Sequence, residues 1–186
     1  MIRTLFIAPR SPLNAAYPQE KIKEALQKKD GLLWVDFSNE PDQNCEPILR
    51  EVFGFHPLAV DDALQETHTP KVDDWGDYIY IVLNALIYEK PDADGTLHLH
   101  ELDVFLGKNF VVTHHDEEIA AIEQVWSACQ RDPRHTSSGA DHLLYRIIDY
   151  LVADYMPIVE KIDDEIDIIE DQVFNKPTTD TLEHIF

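Results

Sequence analysis

Nine apolar residues recur every three or four positions near the end of the chain, at Leu144, Ile148, Leu151, Tyr155, Ile158, Ile162, Ile166, Ile169 and Val173, a mean step of 3.6 residues. That is the period of a nearly straight amphipathic helix. About thirty residues at 1.5 Å each span roughly 45 Å, which is long for a compact domain of 186 residues. Asn175 and Pro177 predict its end, and "TTDTLEHIF" predicts the start of a further helix. A long helix, a turn and a new helix cut short have the look of a piece of something larger.

The polar side of this predicted helix is as unusual as its length. "EKIDDEIDIIED", Glu160 to Asp171, sets seven carboxylates against one lysine. Glu160/Asp164, Asp163/Asp167 and Asp167/Asp171 are spaced to repel on a helix surface, each pair costing about 0.2–0.5 kcal/mol. The whole chain shares the bias, with 36 acidic against 15 basic residues and a formal charge of −21. Such a surface repels nucleic acid and anionic lipid and attracts cations or a basic partner, so nucleic acid is excluded as a partner. The two cysteines, Cys45 and Cys129, form neither a disulfide framework nor a zinc motif and suit a reducing compartment. No signal peptide is evident in "MIRTLFIAPR", and no apolar run approaches the ~18–20 residues that cross a bilayer. As it stands the chain reads as soluble and cytoplasmic.

The first 115 residues alternate between strand-like and helix-like segments. "RTLFIA" and "LLWVDF" read as short buried strands with a helix, Gln19 to Lys29, between them, and "CEPILREVFGF" and "PLAVDDALQE" read as two more helices, the first ending near Gly54 and the second opened by Pro57. Asp77–Glu89, Thr96–Gly107 and Asn109–His115 follow as strands joined at Asp94-Gly95 and Gly107-Lys108-Asn109. "DEEIAAIEQVWSACQ" then predicts a helix with an acidic first turn, favourable at the helix dipole. The mixture predicts an α/β fold in layers, with a sheet that is at least partly antiparallel. The change of character near the polar "RDPRHTSSGAD" segment divides the chain into an α/β domain over 1–137 and a helical part over 138–186.

No catalytic motif stands out. There is no GxSxG, no HExxH and no Gly-rich phosphate loop, and the six glycines never cluster. His98 and His100 alternate on one predicted strand, and His114, His115 and Asp116 close the next. Pairing of the two strands would let His98, His100, His114 and Asp116 converge on zinc or iron, which keeps open the alternative of a soluble metal-dependent enzyme. A cytosolic acidic scaffold that docks a basic partner on the long helix is another.

Two stretches carry a more specific signal. "FGFHPLAVDDALQETHTPKVDDWGDYIYIVLNAL", Phe53 to Leu86, resembles the cytoplasmic-domain signature of the CorA-type magnesium and cobalt transporters. In that family an FG-x-HPL segment leads through a paired acidic motif to a PK-V stretch and an apolar strand. "LLYRIIDYLVADYMPIVEKIDDEIDIIEDQVF" is similar to the family's first long helix beside the pore-forming stalk. The two occur in the family's order and cover about a third of the chain.

The resemblance implies an α/β/α sandwich with a mixed sheet, followed by a long amphipathic helix and the start of a helical hairpin. It implies the cytoplasmic, divalent-cation-sensing domain of a Mg2+/Co2+ channel, not an enzyme. Its partners would be further copies of itself, as a pentamer, and the cytoplasmic face of the cell membrane, reached through a C-terminal region that this sequence lacks. Carried over position by position, Asp61 and Asp62 occupy the paired acidic motif, where the family often has Glu-Asp, and Asp149 matches another carboxylate near the same sites. Together they imply a partial regulatory site for Mg2+, with Co2+, Zn2+ or Ca2+ as other candidate ions, and no organic cofactor. A zinc-transporting relative is the nearest alternative, with nine histidines in its favour. By the same analogy Glu160, Asp163, Asp164, Asp167, Glu170 and Asp171 form a cation-concentrating face whose counter-charge is a basic ring elsewhere in the full protein. Bound divalent ions, or solvent alone, are the other two ways of balancing it.

Overall fold

A strand buried on both faces cannot alternate apolar with polar residues, and "LLWVDF" does not: Leu32 to Phe37 are all buried in strand β2, Leu32–Ser38. The computed structural model describes residues 1–65, 69–88, 97–136 and 138–175. The expected Asp94-Gly95 turn and the helix expected over 178–186 lie outside them. Around β2 the described strands are β1 (Ile2–Ile7), β3 (Lys71–Asp74), β4 (Tyr78–Tyr88), β5 (Leu97–Gly107) and β6 (Phe110–His115). They form one six-stranded sheet in the order β1-β2-β6-β5-β4-β3. Only the β2–β6 pair is parallel. The sheet is therefore mixed, as expected; the short edge strand β3 is an addition to the sequence reading.

Helices α1 (Ile22–Leu26), α2 (Asp42–Pro47) and α3 (Pro57–Leu64) cover one face. There Leu33, Val35 and Phe37 of β2 join Val112 of β6, Phe105 of β5 and Tyr80 of β4 in one core with Ile22, Cys45, Ala59 and Val60. Phe55, between α2 and α3, is its keystone, stacked 4.2 Å from Phe105 and tilted 4.6 Å from Tyr78. Helix α4 (Ala120–Arg131) covers the other face, where its Trp126 lies 4.8 Å from Trp34. Two helices, α5 (Ala140–Ala153) and α6 (Met156–Asn175), complete the order. The architecture is the expected α/β/α sandwich.

The helix boundaries differ where side chains claim the backbone. The segment expected as a helix over Gln19–Lys29 is a 3₁₀ turn, Gln19–Lys21, followed by the five-residue α1. The chain then turns sharply, because Gly31 must pass beside Phe6: a Cβ there would lie 2.9 Å from the Phe6 ring. Beyond α2 a π-helical segment, Ile48–Phe53, ends at Gly54 with φ of 75°, the left-handed stop that glycine favours. Helix α4 starts at Ala120, so Asp116, Glu117 and Glu118 precede it and the acid of its first turn is Glu123. His115 fixes that stretch instead, its Nδ1 lying 2.6 Å from the Glu117 carbonyl.

The thirty-residue helix is interrupted by a turn at Asp154 and Tyr155. The apolar period continues through the break, but Pro157 has no N–H to give the Ala153 carbonyl and its ring crowds that turn. Tyr155 N–H bonds Val152 at 3.0 Å instead, and α6 then restarts. The described chain divides into two compact units after Leu151. Helix α5 belongs mostly to the first, with Leu143 and Ile147 fully buried, whereas the sequence reading divides the chain before it.

The β5–β6 turn offers a direct test of this packing. A Cβ on Gly107 would come within 2.2 Å of the Phe110 ring, which is held against Phe53 and Phe55 at 5.3 and 5.8 Å. Gly107→Ala is expected to lower unfolding free energy by about 1–3 kcal/mol, read as a lower urea midpoint at unchanged m-value.

Candidate metal centre

Helix α3 is short and one-sided. His56 caps it, Nδ1 accepting the Leu58 N–H at 3.2 Å, and Pro57 opens it. Ala59, Val60 and Ala63 face the core, which leaves the consecutive Asp61 and Asp62 on the outer side, both partly open to solvent. Each meets one cation. Arg50, from the π-helical segment, reaches Asp61 at 2.5 Å and also lies 2.8 Å from Glu46. Lys71, at the start of β3, pairs with Asp62 and lies 3.1 Å from Asp73. Its ammonium stands 5.2 Å from the centre of the Tyr80 ring. Hydrogen bonding to Asp62 holds the Lys71 ammonium above its ordinary range, against the smaller opposing effect of burial.

These carboxylates suit a hard, hydrated divalent cation. Mg2+ takes oxygen ligands and keeps several of its waters, so two neighbouring, solvent-accessible aspartates fit a hydrated ion and not a closed protein cage. Asp149, the third expected ligand, is exposed on α5. It does not join Asp61 and Asp62 in a three-carboxylate group. Among the described residues no group of three or more Asp, Glu, His or Cys side chains is placed to hold a metal. On α6 the acids Glu160, Asp163, Asp164, Asp167, Glu170 and Asp171 are all exposed, and Lys161 lies 3.6 Å from Glu165.

The convergent histidine site does not form. β5 and β6 do pair, with Asp103 opposite His114, and this register is what separates the imidazoles. His114 and Asp103 face the α1–α3 side, so His98 and His100, an odd number of residues from Asp103 on the same strand, face the α4 side with His115. Asp116 lies beyond the end of β6. Strand pairing was the right premise, but alternation sends the side chains to opposite faces.

What the sequence reading missed are two buried polar clusters, one on each face of the sheet. On the α4 side Asp36 is fully buried and accepts from Arg3 Nε at 2.8 Å and from the Thr113 hydroxyl, with His115 Nε2 at 3.3 Å. Arg3 also donates to Glu123 at 3.0 Å and lies 4.4 Å over the Trp126 ring, while Trp34 donates to Thr113 at 3.0 Å. Burial alone would raise the Asp36 carboxyl, but His115, Arg3 and Thr113 together hold it below its usual range. His115 is correspondingly raised, its burial outweighed mainly by Asp36. On the α1–α3 side Tyr80 donates to Asp103 at 2.6 Å, and His114 Nδ1 stands 3.7 Å away. Here burial dominates, and the Asp103 carboxyl is pushed up to about 6 despite His114 and Tyr80. These clusters tie β1, β2, β6 and α4, and β4 to β5; no sequence motif marks them.

The α/β/α domain carries hard oxygen donors on one surface helix, and the last described helix is acidic. The soluble domain of CorA from Methanocaldococcus jannaschii has the same fold, with a TM-score of 0.69 and 22% identity over 100% of this chain and 69% of that one. The chain belongs to the CorA-like Mg2+ transporter protein family, whose model matches residues 29–186. The YfjQ protein of Bacillus subtilis is 33% identical over 186 residues, all of this chain and 55% of that protein. The cobalt/magnesium transport protein CorA of Thermotoga maritima is 32% identical over 160 residues, 81% of this chain and 42% of that protein. The chain therefore spans about half the length of the curated relatives it matches. Among the described residues no helix is long and apolar enough to cross a membrane.

Proposed function

We propose that this chain is the cytoplasmic, ion-sensing part of a CorA-type Mg2+ or Co2+ channel, assembled as a homopentamer at the inner membrane through a region beyond the present sequence. The observation that carries the reading is the Asp61–Asp62 pair, set side by side on the outer face of α3 in a chain of this family. Two carboxylates supply only part of a divalent-ion shell, so a neighbouring subunit completes each site, and Asp149 serves a second position near the same boundary. Occupied sites hold subunits together and the pore closed; ion loss releases them. The exposed acids of α6 act by their field, raising the local cation concentration near the ion path.

The test is transport by the full-length protein carrying Asp61→Ala, Asp62→Ala and Asp149→Ala together. Uptake at low Mg2+ should persist. The Mg2+ concentration that closes the channel should rise by about tenfold or more, the scale of a typical coupling free energy. Inhibition identical to that of the unmodified protein would remove these residues from the sensor.

A further inference from the structure

We propose that Lys71 and Arg50 are tethered competitors of the divalent ion at Asp62 and Asp61, and that they set the affinity of the site and its selectivity for divalent over monovalent cations. This rests on the sensing role proposed above for the two aspartates. The geometry that points to it is the same at both positions. Each basic side chain is shared between one sensor aspartate and one further acid close to it in sequence. Arg50 divides between Asp61 at 2.5 Å and Glu46 at 2.8 Å, one helical turn before it. Lys71 divides between Asp62 and, at 3.1 Å, Asp73, two residues along the same face of β3.

A cation with a second partner can be displaced without being stranded. When an ion takes Asp62, the Lys71 ammonium keeps Asp73; when an ion takes Asp61, Arg50 keeps Glu46. The handover therefore avoids the cost of leaving a cation unpaired. The competitors also cannot diffuse away. Lys71 is held over the Tyr80 ring, so it stays at high effective concentration beside the carboxylate it has released. A monovalent ion brings no more charge to Asp62 than the ammonium it must replace, whereas a divalent ion brings twice as much. Tethered side chains of single charge thus exclude K+ and Na+ while leaving the site open to divalent ions, at an affinity lowered by the competition. All four side chains are partly exposed, so screening limits the effect of each.

The experiment titrates MgCl2 into the isotopically labelled chain at about 150 mM KCl, where the diffuse attraction of the acidic surface is largely screened. Binding is read from the backbone amide shifts of residues 61 and 62, which report this site and not α6. Lys71→Met and Arg50→Met should each tighten the apparent Kd by about three- to tenfold. Lys71→Arg, which keeps the charge, should stay within about twofold of the unmodified chain, and Lys71→Gln supplies a second neutral variant should the methionine perturb folding. Tighter binding by the neutral variants, lost on adding Asp61→Asn and Asp62→Asn, supports the proposal. Unchanged or weaker binding in every neutral variant, with the site still abolished by the two asparagines, overturns the competition but leaves the sensor reading standing. Absence of saturable shifts at residues 61 and 62 in all variants overturns the competition, since nothing then competes for a site within one chain, and leaves the sensor reading to the transport test on the full-length protein.

Discussion

Arg3→Ala is expected to cost about 3–5 kcal/mol of stability at neutral pH, the scale for breaking a buried ion pair by removing one partner. Asp36 is wholly buried, and without Arg3 it keeps only Thr113 and His115. The guanidinium also joins two elements that the sequence separates widely, since it bonds Asp36 on β2 and Glu123 on α4. Urea unfolding should therefore show the midpoint collapsing for the single variant. Arg3→Lys should recover only part of the loss, because an ammonium cannot fork between two carboxylates as a guanidinium does. The double variant Arg3→Met with Asp36→Asn should be less damaged than Arg3→Ala, since it leaves no stranded charge. A loss below about 1 kcal/mol for Arg3→Ala would mean that the cluster behaves like an exposed surface pair.

Stability should also peak on the acid side of neutrality. Asp103 holds its proton to about pH 6 in the folded chain, against an ordinary 3.8. Between those values the native state binds more protons than the unfolded one, so stability falls as pH rises, by about 2–3 kcal/mol across the window. Asp36 acts with the opposite sign on the acid side, and His115 with the same sign as Asp103 at higher pH. The Asp36 carboxyl is depressed, so its contribution is present above pH 3.8 and lost as pH falls through its folded value. His115 is raised, so its contribution is full below 6.5 and lost as pH climbs through its folded value. Thermal unfolding across pH 3.5–8 should locate the maximum near pH 4–5. Asp103→Asn should remove the fall between pH 4 and 6 and stabilise the chain at pH 7. A profile that rises steadily to pH 7 would show that Asp103 is ionised without penalty in the native state.

The layered fold was legible because its strands announce themselves. "LLWVDF" is buried on both faces and apolar at all but Asp36, and the residues around Gly107 supply a tight turn between long β-rich runs. The helices were less so. The period of Leu144 to Val173 passes unbroken through Tyr155 and Ile158, and only the missing N–H of Pro157 interrupts it. Hydrophobic spacing counts side chains, whereas a helix is continued by backbone donors. The carboxylates Asp61 and Asp62 could be picked out from their motif, but not their partners: Arg50 and Lys71 approach from elements on either side of α3. The histidines show the limit of reading pairing without register. Which strands meet can be guessed from hydrophobicity, but which face each imidazole takes depends on a shift of one residue. Asp36 and Glu123 lie 33 and 120 positions from Arg3 in the chain, and no local pattern links the three.

That dependence on a single residue has a consequence for how the sheet assembles. Strand β6 is sandwiched between two apolar layers, and Val111 and Val112, which point to opposite faces, are the same residue type with the same burial. A slip by one position would exchange two valines at little loss, so hydrophobic pattern alone cannot tell the correct alignment from its neighbour. Thr113, His114 and His115 can. Each finds a polar counterpart on its own face only when Thr113 lies beside Asp36 and His114 beside Asp103; one step off, a hydroxyl and two imidazoles are buried against hydrocarbon. The polar end of the strand acts as an index mark, and the sheet closes in one alignment because every other leaves charge in the dark of the core.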